Sequence, residues 1–224
     1  MKVLKRILTI LSVVILLFIV VSLVFFPGSA HVSRHTEMNA LPSTVFKLVN
    51  NLEAWDAWMP WNKIDPKMQK TYCPTKEGVG AWYSWKSNHR NVGTGKMELT
   101  KSETDKLVQT KLYFMEETTP SDISFTFEPT ANNGTKCTWT MDTPYSYNPI
   151  NRTFNFLMQV GLGKTFDQGL ADLKTESEKR AIIELQRNTA NVTNLPNTGG
   201  QSATSANNAP PNTTNVATSQ GNKP

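Results

Sequence analysis

Hydrophobic and polar positions divide the chain into three stretches. From Ile7 to Phe26, twenty residues carry no charge, and only Thr9, Ser12 and Ser22 are polar. As a helix rising about 1.5 Å per residue, this run is about 30 Å long, the thickness of a bilayer's hydrocarbon core. Beyond it the apolar positions become periodic. Residues 32–39 predict a first strand. Pro42 opens a short helix whose apolar side is Val45, Phe46, Leu48 and Val49. Residues 52–59 predict a second short helix, stopped by Pro60. Strands follow over 70–73, 81–85, 92–100, 107–115, 123–128 and 135–141. The hairpin signal Asn132-Asn133-Gly134 introduces the last of them. Leu162, Phe166, Leu170 and Leu173 recur at helical spacing and predict a long closing helix to about Glu184. A shorter helix over 154–160 precedes it, with a break near Gly161 or Gly163. This order is that of an α+β layer protein, an antiparallel sheet with helices on one face.

From residue 187 the periodicity stops. The stretch to Pro224 is built from Asn, Thr, Ser, Ala, Gln, Pro and Gly and has no aromatic residue, so it cannot bury enough apolar area to offset its ordering entropy. The expected division is therefore a cytoplasmic stub and transmembrane helix over 1–29, one folded domain over 30–186 and a disordered tail over 187–224.

Charge sharpens this division. The net charge of +5 comes from 23 Lys+Arg against 18 Asp+Glu. Lys2, Lys5 and Arg6 precede the apolar run, and Arg187 and Lys223 lie in the tail; between them the basic and acidic residues cancel, 18 against 18. The folded part thus lacks the basic footprint of a nucleic-acid-binding protein. The cations before the apolar run orient it with the N-terminus in the cytoplasm and everything after Pro27 outside. A secreted form, cleaved after the small residues Gly28-Ser29-Ala30, is the alternative. Against it, the apolar run exceeds the 7–15 residues usual in a signal peptide.

Catalytic motifs are missing. His31 and His35 share a strand face, but no carboxylate or cysteine completes a zinc set. Gly161-Leu162-Gly163-Lys164-Thr165 ends like a phosphate loop, but the position five before Gly163 is Met158. Glu116, Glu117, Asp122 and Asp142 read as solvated loop carboxylates. No catalytic, cofactor or metal-binding residue is assigned, and no cofactor is expected. His89, Tyr83 and Tyr113 are the only groups suited to proton transfer. Six tryptophans, Trp55, Trp58, Trp61, Trp82, Trp85 and Trp139, are the notable load. Trp82 and Trp85 fall on opposite faces of one strand, so at most one faces the interior.

Several segments resemble a known family. They are Val45-Phe46 through Trp55, Trp58-Met59-Pro60-Trp61, Asp65-Pro66, Gly78-Val79-Gly80-Ala81, Trp85, Gly93-Thr94-Gly95, Gly134-Thr135 through Trp139, and Phe166-Asp167-Gln168-Gly169-Leu170 with Leu173-Lys174. In this order they are similar to the SRPBCC superfamily: START domains, birch-pollen-allergen-like proteins, and the polyketide cyclase/dehydrase and lipid transport group. The resemblance implies a helix-grip fold, with a seven-stranded antiparallel sheet wrapped around a long C-terminal helix. It implies no shared catalytic set. Several bacterial members carry one N-terminal membrane helix. The implied site is a cavity between sheet and helix, with Trp85, Tyr83, Met97, Leu99, Leu112, Phe114, Phe125, Phe127, Trp139, Phe166 and Leu170 as its expected lining. In that fold the strand after the short helices and the last strand flank the first strand on opposite sides. Cys73 and Cys137 would then stand two strand spacings apart, too far for a disulfide, and remain free thiols. The expected function is a membrane-anchored module that binds a hydrophobic small molecule or lipid, with the bilayer as partner through Ile7 to Phe26. The alternatives are a cyclase/dehydratase-like enzyme, or an envelope interaction module whose core is filled by its own side chains.

Overall fold

The computed structural model describes residues 1–114 and 119–193. Helix α1, Lys2–Phe25, is solvent-exposed along most of its length. Strand β1 (His31–Met38) leads into α2 (Pro42–Asn50) and a 3-10 turn over Leu52–Ala57. Asn51 caps that turn: its side-chain oxygen accepts from the backbone N–H groups of Glu53 and Ala54. Pro60 does not end a helix, as the sequence suggested; it begins one, α3 (Pro60–Ile64), from the first-turn position where a missing N–H leaves nothing unsatisfied. Strands β2 (Gln69–Tyr72), β3 (Trp82–Lys86), β4 (Thr94–Glu103), β5 (Leu107–Phe114), β6 (Ser121–Pro129) and β7 (Thr135–Asp142) form one antiparallel sheet with β1, in the order β1-β7-β6-β5-β4-β3-β2. Asn133 adopts a positive φ of 57° in the turn before β7, as its hairpin signal requires.

Helix α4 runs unbroken over Pro149–Thr193, passing the expected break at Gly161 and Gly163 and the expected domain end at residue 186. Two glycines cost only about 2 kcal/mol of helix propensity, a penalty that packing overrides. Gly163 also has a steric role. A Cβ there would come within 2.2 Å of the Arg34 guanidinium, so its absence lets Arg34 cross the helix and pair with Asp167. The remaining tail, residues 194–224, lies outside the described residues, as do Glu116 and Glu117.

The two ends of the sheet differ from expectation. β1 and β2 do not pair; β1 is one edge and β2 the other. The open edge of β1 is covered by side chains of α4. Gln159 donates to the carbonyl of His31, Lys174 donates to the carbonyl of Glu37, and Glu178 accepts from the N–H of Asn39. These bonds satisfy edge groups that a neighbouring strand would otherwise take. Cys73, just past β2, and Cys137, on β7, are therefore separated by most of the sheet. Both are free and buried, as expected but with a different strand order.

The space between sheet and α4 is divided along its length. At the β1 C-terminal end, Leu99, Val108, Phe125, Phe127 and Cys137 pack against Leu170 and Leu173 of α4 and Val45, Leu48 and Val49 of α2. Burial of side chains of this size contributes about 1.5–3 kcal/mol each. At the other end, nearest α1, the packing opens. There the chain leaving α1 is fastened to the start of α4. Ser22 Oγ donates to the Pro149 carbonyl at 2.6 Å, Arg152 Nε donates to the Phe26 carbonyl at 2.9 Å, and the rings of Phe26 and Phe156 stack at 4.9 Å.

Candidate functional site

A cavity of about 890 Å³ occupies the open end. Its floor comes from the ends of the central strands that point toward α1: Tyr83 and Trp85 of β3, Met97 of β4, Leu112 and Phe114 of β5, Ile123 of β6, and Trp139 and Met141 of β7. Strand alternation aims each of these inward. Its roof is α4 from Asn151 to Phe166, and its sides are Met59, Trp61 and Asn62 near α3, the 90–92 loop and the 143–146 loop. A volume of this size suits a drug-sized or lipid-sized molecule.

Of the residues expected to line a cavity, Tyr83, Trp85, Met97, Leu112, Phe114, Trp139 and Phe166 do so. Leu99, Phe125, Phe127 and Leu170 point to the same side of the sheet but belong to the filled end, where they are core. Strand alternation for Leu99, Phe125 and Phe127, and helical spacing for Leu170, give the face of an element and not the level along it. Conversely, Trp61, Asn62, Arg90, Tyr145, Phe154, Asn155 and Met158 line the cavity unanticipated. They come from α3, from loops and from the first turns of α4, where no strand period marks them.

The tryptophans divide by role. Trp55 and Trp58 are buried and their indole N–H groups are satisfied, by the carbonyls of Val49 at 2.8 Å and Leu48 at 3.3 Å. Trp85 donates to the carbonyl of Val92, which ties the 90–92 loop to the sheet. Trp82 points to the outer face, under the Lys96 ammonium. Trp139 is different. It stacks on Phe166 at 4.0 Å with the rings 10° from parallel, and it is 1 % exposed. Its Nε1 has no hydrogen-bond partner among the described residues. The benzo edge of the indole lies over Gly169, where a Cβ would come within 2.7 Å of Cζ3. The N–H sits on the opposite edge of the ring, away from Gly169, and is itself fully buried. A buried donor without a partner costs about 1–3 kcal/mol, a cost that the stacking and burial of the whole ring must offset.

Electrostatically the site is nearly neutral. Among the described residues the lining holds one charged side chain, Arg90, and no carboxylate, imidazole or thiol. His89 lines a separate polar groove with Asp65 and Ser87. Tyr113 is on the outer face, where Lys96 lies 5.8 Å from its ring. Of the proton-transfer candidates only Tyr83 reaches the cavity. Burial holds its phenol well above the ordinary tyrosine range, with a smaller push from neighbouring Tyr72, so it stays protonated at neutral pH. No cluster of three or more metal-ligating side chains occurs among the described residues.

Comparison with known proteins places this architecture. The solution structure of KanY protein matches 67% of this chain and 99% of its own, at 14% identity and a TM-score of 0.51. The Aha1 dimer from Colwellia psychrerythraea matches 66% of this chain and 96% of its own, at 15% identity and a TM-score of 0.48. A Chromobacterium violaceum protein matches 66% of this chain and 98% of its own, at 12% identity and a TM-score of 0.45. At 14% identity the likeness to KanY protein is one of fold. No curated protein matches the chain in sequence. A family model described as "Polyketide cyclase / dehydrase and lipid transport" matches residues 29–178, about two thirds of the chain and nearly all of the sheet and its helices. With the seven-stranded sheet closed over a long C-terminal helix and a cavity between them, the chain belongs to the polyketide cyclase/dehydrase and lipid transport family.

Proposed function

We propose that this protein is a membrane-anchored binding module that holds one hydrophobic small molecule or lipid between the sheet and α4. One observation carries the reading: the 890 Å³ cavity is walled by apolar and aromatic side chains, with Arg90 its only described charge. A ligand with a largely apolar body fits such a lining best. The anchor is α1, uncharged from Ile7 to Phe26, with Lys2, Lys5 and Arg6 holding the N-terminus in the cytoplasm and the domain outside.

Native mass spectrometry of the full-length protein extracted from membranes tests this. A bound mass that disappears on denaturation is expected. The variant Leu112→Trp, which narrows the cavity from its floor, should reduce that bound mass and keep its fold by circular dichroism. A bare mass for the parent protein, or an unchanged bound mass in Leu112→Trp, would overturn the reading.

A further inference from the structure

The first turns of α4 expose large apolar side chains in a stretch almost without charge. Ile150, Leu157 and Val160 are 69 %, 60 % and 67 % exposed. Phe154, and Tyr145 and Tyr147 in the preceding loop, are exposed beside them. From Thr143 to Gly163 the only charged residue is Arg152, whose guanidinium is bonded to the Phe26 carbonyl. Phe154, Leu157 and Tyr145 are at once exposed and part of the cavity lining, so the apolar surface is continuous with the cavity mouth.

The contact between α1 and α4 fixes the depth of this surface. Ser22 precedes Phe26 by four residues, or about 6 Å of helix. Its hydroxyl bonds the carbonyl of Pro149, the first residue of α4. If α1 spans a bilayer and ends near Phe26, then α4 begins about 6 Å below that end. Interfacial helices bury their apolar faces about 5–10 Å into the boundary between headgroups and acyl chains. Aromatic residues and a lone arginine at that level match the composition of such a zone.

We propose that the first turns of α4 and the 143–148 loop lie in the lipid interface, so that the cavity opens onto the bilayer and not onto water. The occupant of this surface is the lipid leaflet that holds α1. The proposal rests on the membrane-anchored reading. It adds that the leaflet is the source of the ligand, which can enter without crossing water.

The test uses the full chain in vesicles of three parts phosphatidylcholine to one part phosphatidylglycerol. Leu157→Cys and Val160→Cys are each labelled with an environment-sensitive fluorophore, with Lys106→Cys at the opposite end of the sheet as reference. The native thiols are buried and stay unlabelled under native conditions. Several-fold stronger quenching at 157 and 160 than at 106 by lipids carrying a shallow spin label is expected, with blue-shifted emission. Equal quenching at all three sites would overturn the proposal. So would shielding of 157 and 160 without lipid quenching in a chain of doubled mass, or recovery of a chain lacking α1. Native mass spectrometry of the same samples separates the two readings. Quenching without a bound mass sinks the cavity reading alone; a bound mass without quenching sinks this one.

Discussion

The two parts of α4 share a helix and almost nothing else. Before Lys164 the helix carries one charge, exposes its apolar side chains and roofs an open cavity. From Lys164 to Arg180 it carries eight charged residues, and its large apolar side chains there, Phe166, Leu170 and Leu173, are 0–1 % exposed against the sheet. The second part is ordinary amphipathic construction, with a buried stripe and a solvated back. The first inverts it, because the side that should face water is apolar. A single backbone thus supplies the clamp that holds the fold and the roof that leaves room for a ligand.

Charge substitution separates the parts most sharply. Leu170→Asp would bury a carboxylate among Phe and Leu side chains, a loss above about 4 kcal/mol and enough to unfold most domains of this size. Leu157→Asp should change stability by less than about 0.5 kcal/mol, because that side chain is already exposed. Denaturant titration of the detergent-solubilised chain, followed by tryptophan fluorescence, reads both. Similar losses for the two variants would mean that the first turns of α4 are also structural.

Alkali should loosen the filled end. Burial pushes the Cys137 thiol up to about 12, against 9.0 for a free one. The raised value means that this contribution is complete below pH 9 and is lost as pH climbs toward 12. At about pH 10.5 it amounts to about 2 kcal/mol. Buried Tyr83 adds a loss of the same sign at higher pH. Denaturant midpoints from pH 8 upward should fall, and Cys137→Ala should flatten the first part of the slope. A slope unchanged in that variant would remove Cys137 as its cause.

Three glycines on α4 give the finest test. Gly169→Ala gains about 1 kcal/mol of helix propensity. Its Cβ, however, meets the Trp139 ring at 2.7 Å and Pro60 at 3.0 Å, and overpacking of this kind costs about 1–3 kcal/mol. A net loss of about 1 kcal/mol is expected. Gly161→Ala meets nothing within 4 Å and should stabilise by up to about 1 kcal/mol. Gly163→Ala displaces the flexible end of Arg34 and with it the exposed Arg34–Asp167 pair, so gain and loss should nearly cancel. Thermal melts of the three variants read the order directly, and any other order would contradict these contacts.

Much of the architecture was legible because period reports face. β6 and β7 alternate cleanly, and Cys137, Trp139 and Met141 lie on the inner face where alternation puts them. Level along a strand leaves no such mark. Phe125 and Tyr83 are equivalent by period, yet one is core and the other lines the cavity. The reason for glycine at 163, the space taken by Arg34, was hidden because it lies on a different element. The freedom of β1 from β2 was hidden likewise, since the groups that cover its edge belong to α4. The loop and helix residues of the cavity did leave one readable trace, the near absence of charge from Thr143 to Gly163.

The small residues after α1 bear on when, and not only whether, the chain could be cut. Gly28 is small because a Cβ there would come within 2.2 Å of the Tyr145 ring. Ala30 is 2 % exposed, its N–H donates to Thr143 Oγ1, and its carbonyl accepts from the Thr143 N–H. A processing protease needs the segment around Ala30 extended and accessible, and the finished domain offers neither. Cleavage there would have to outrun folding; once β1 has paired with β7, the segment around Ala30 is closed to a protease.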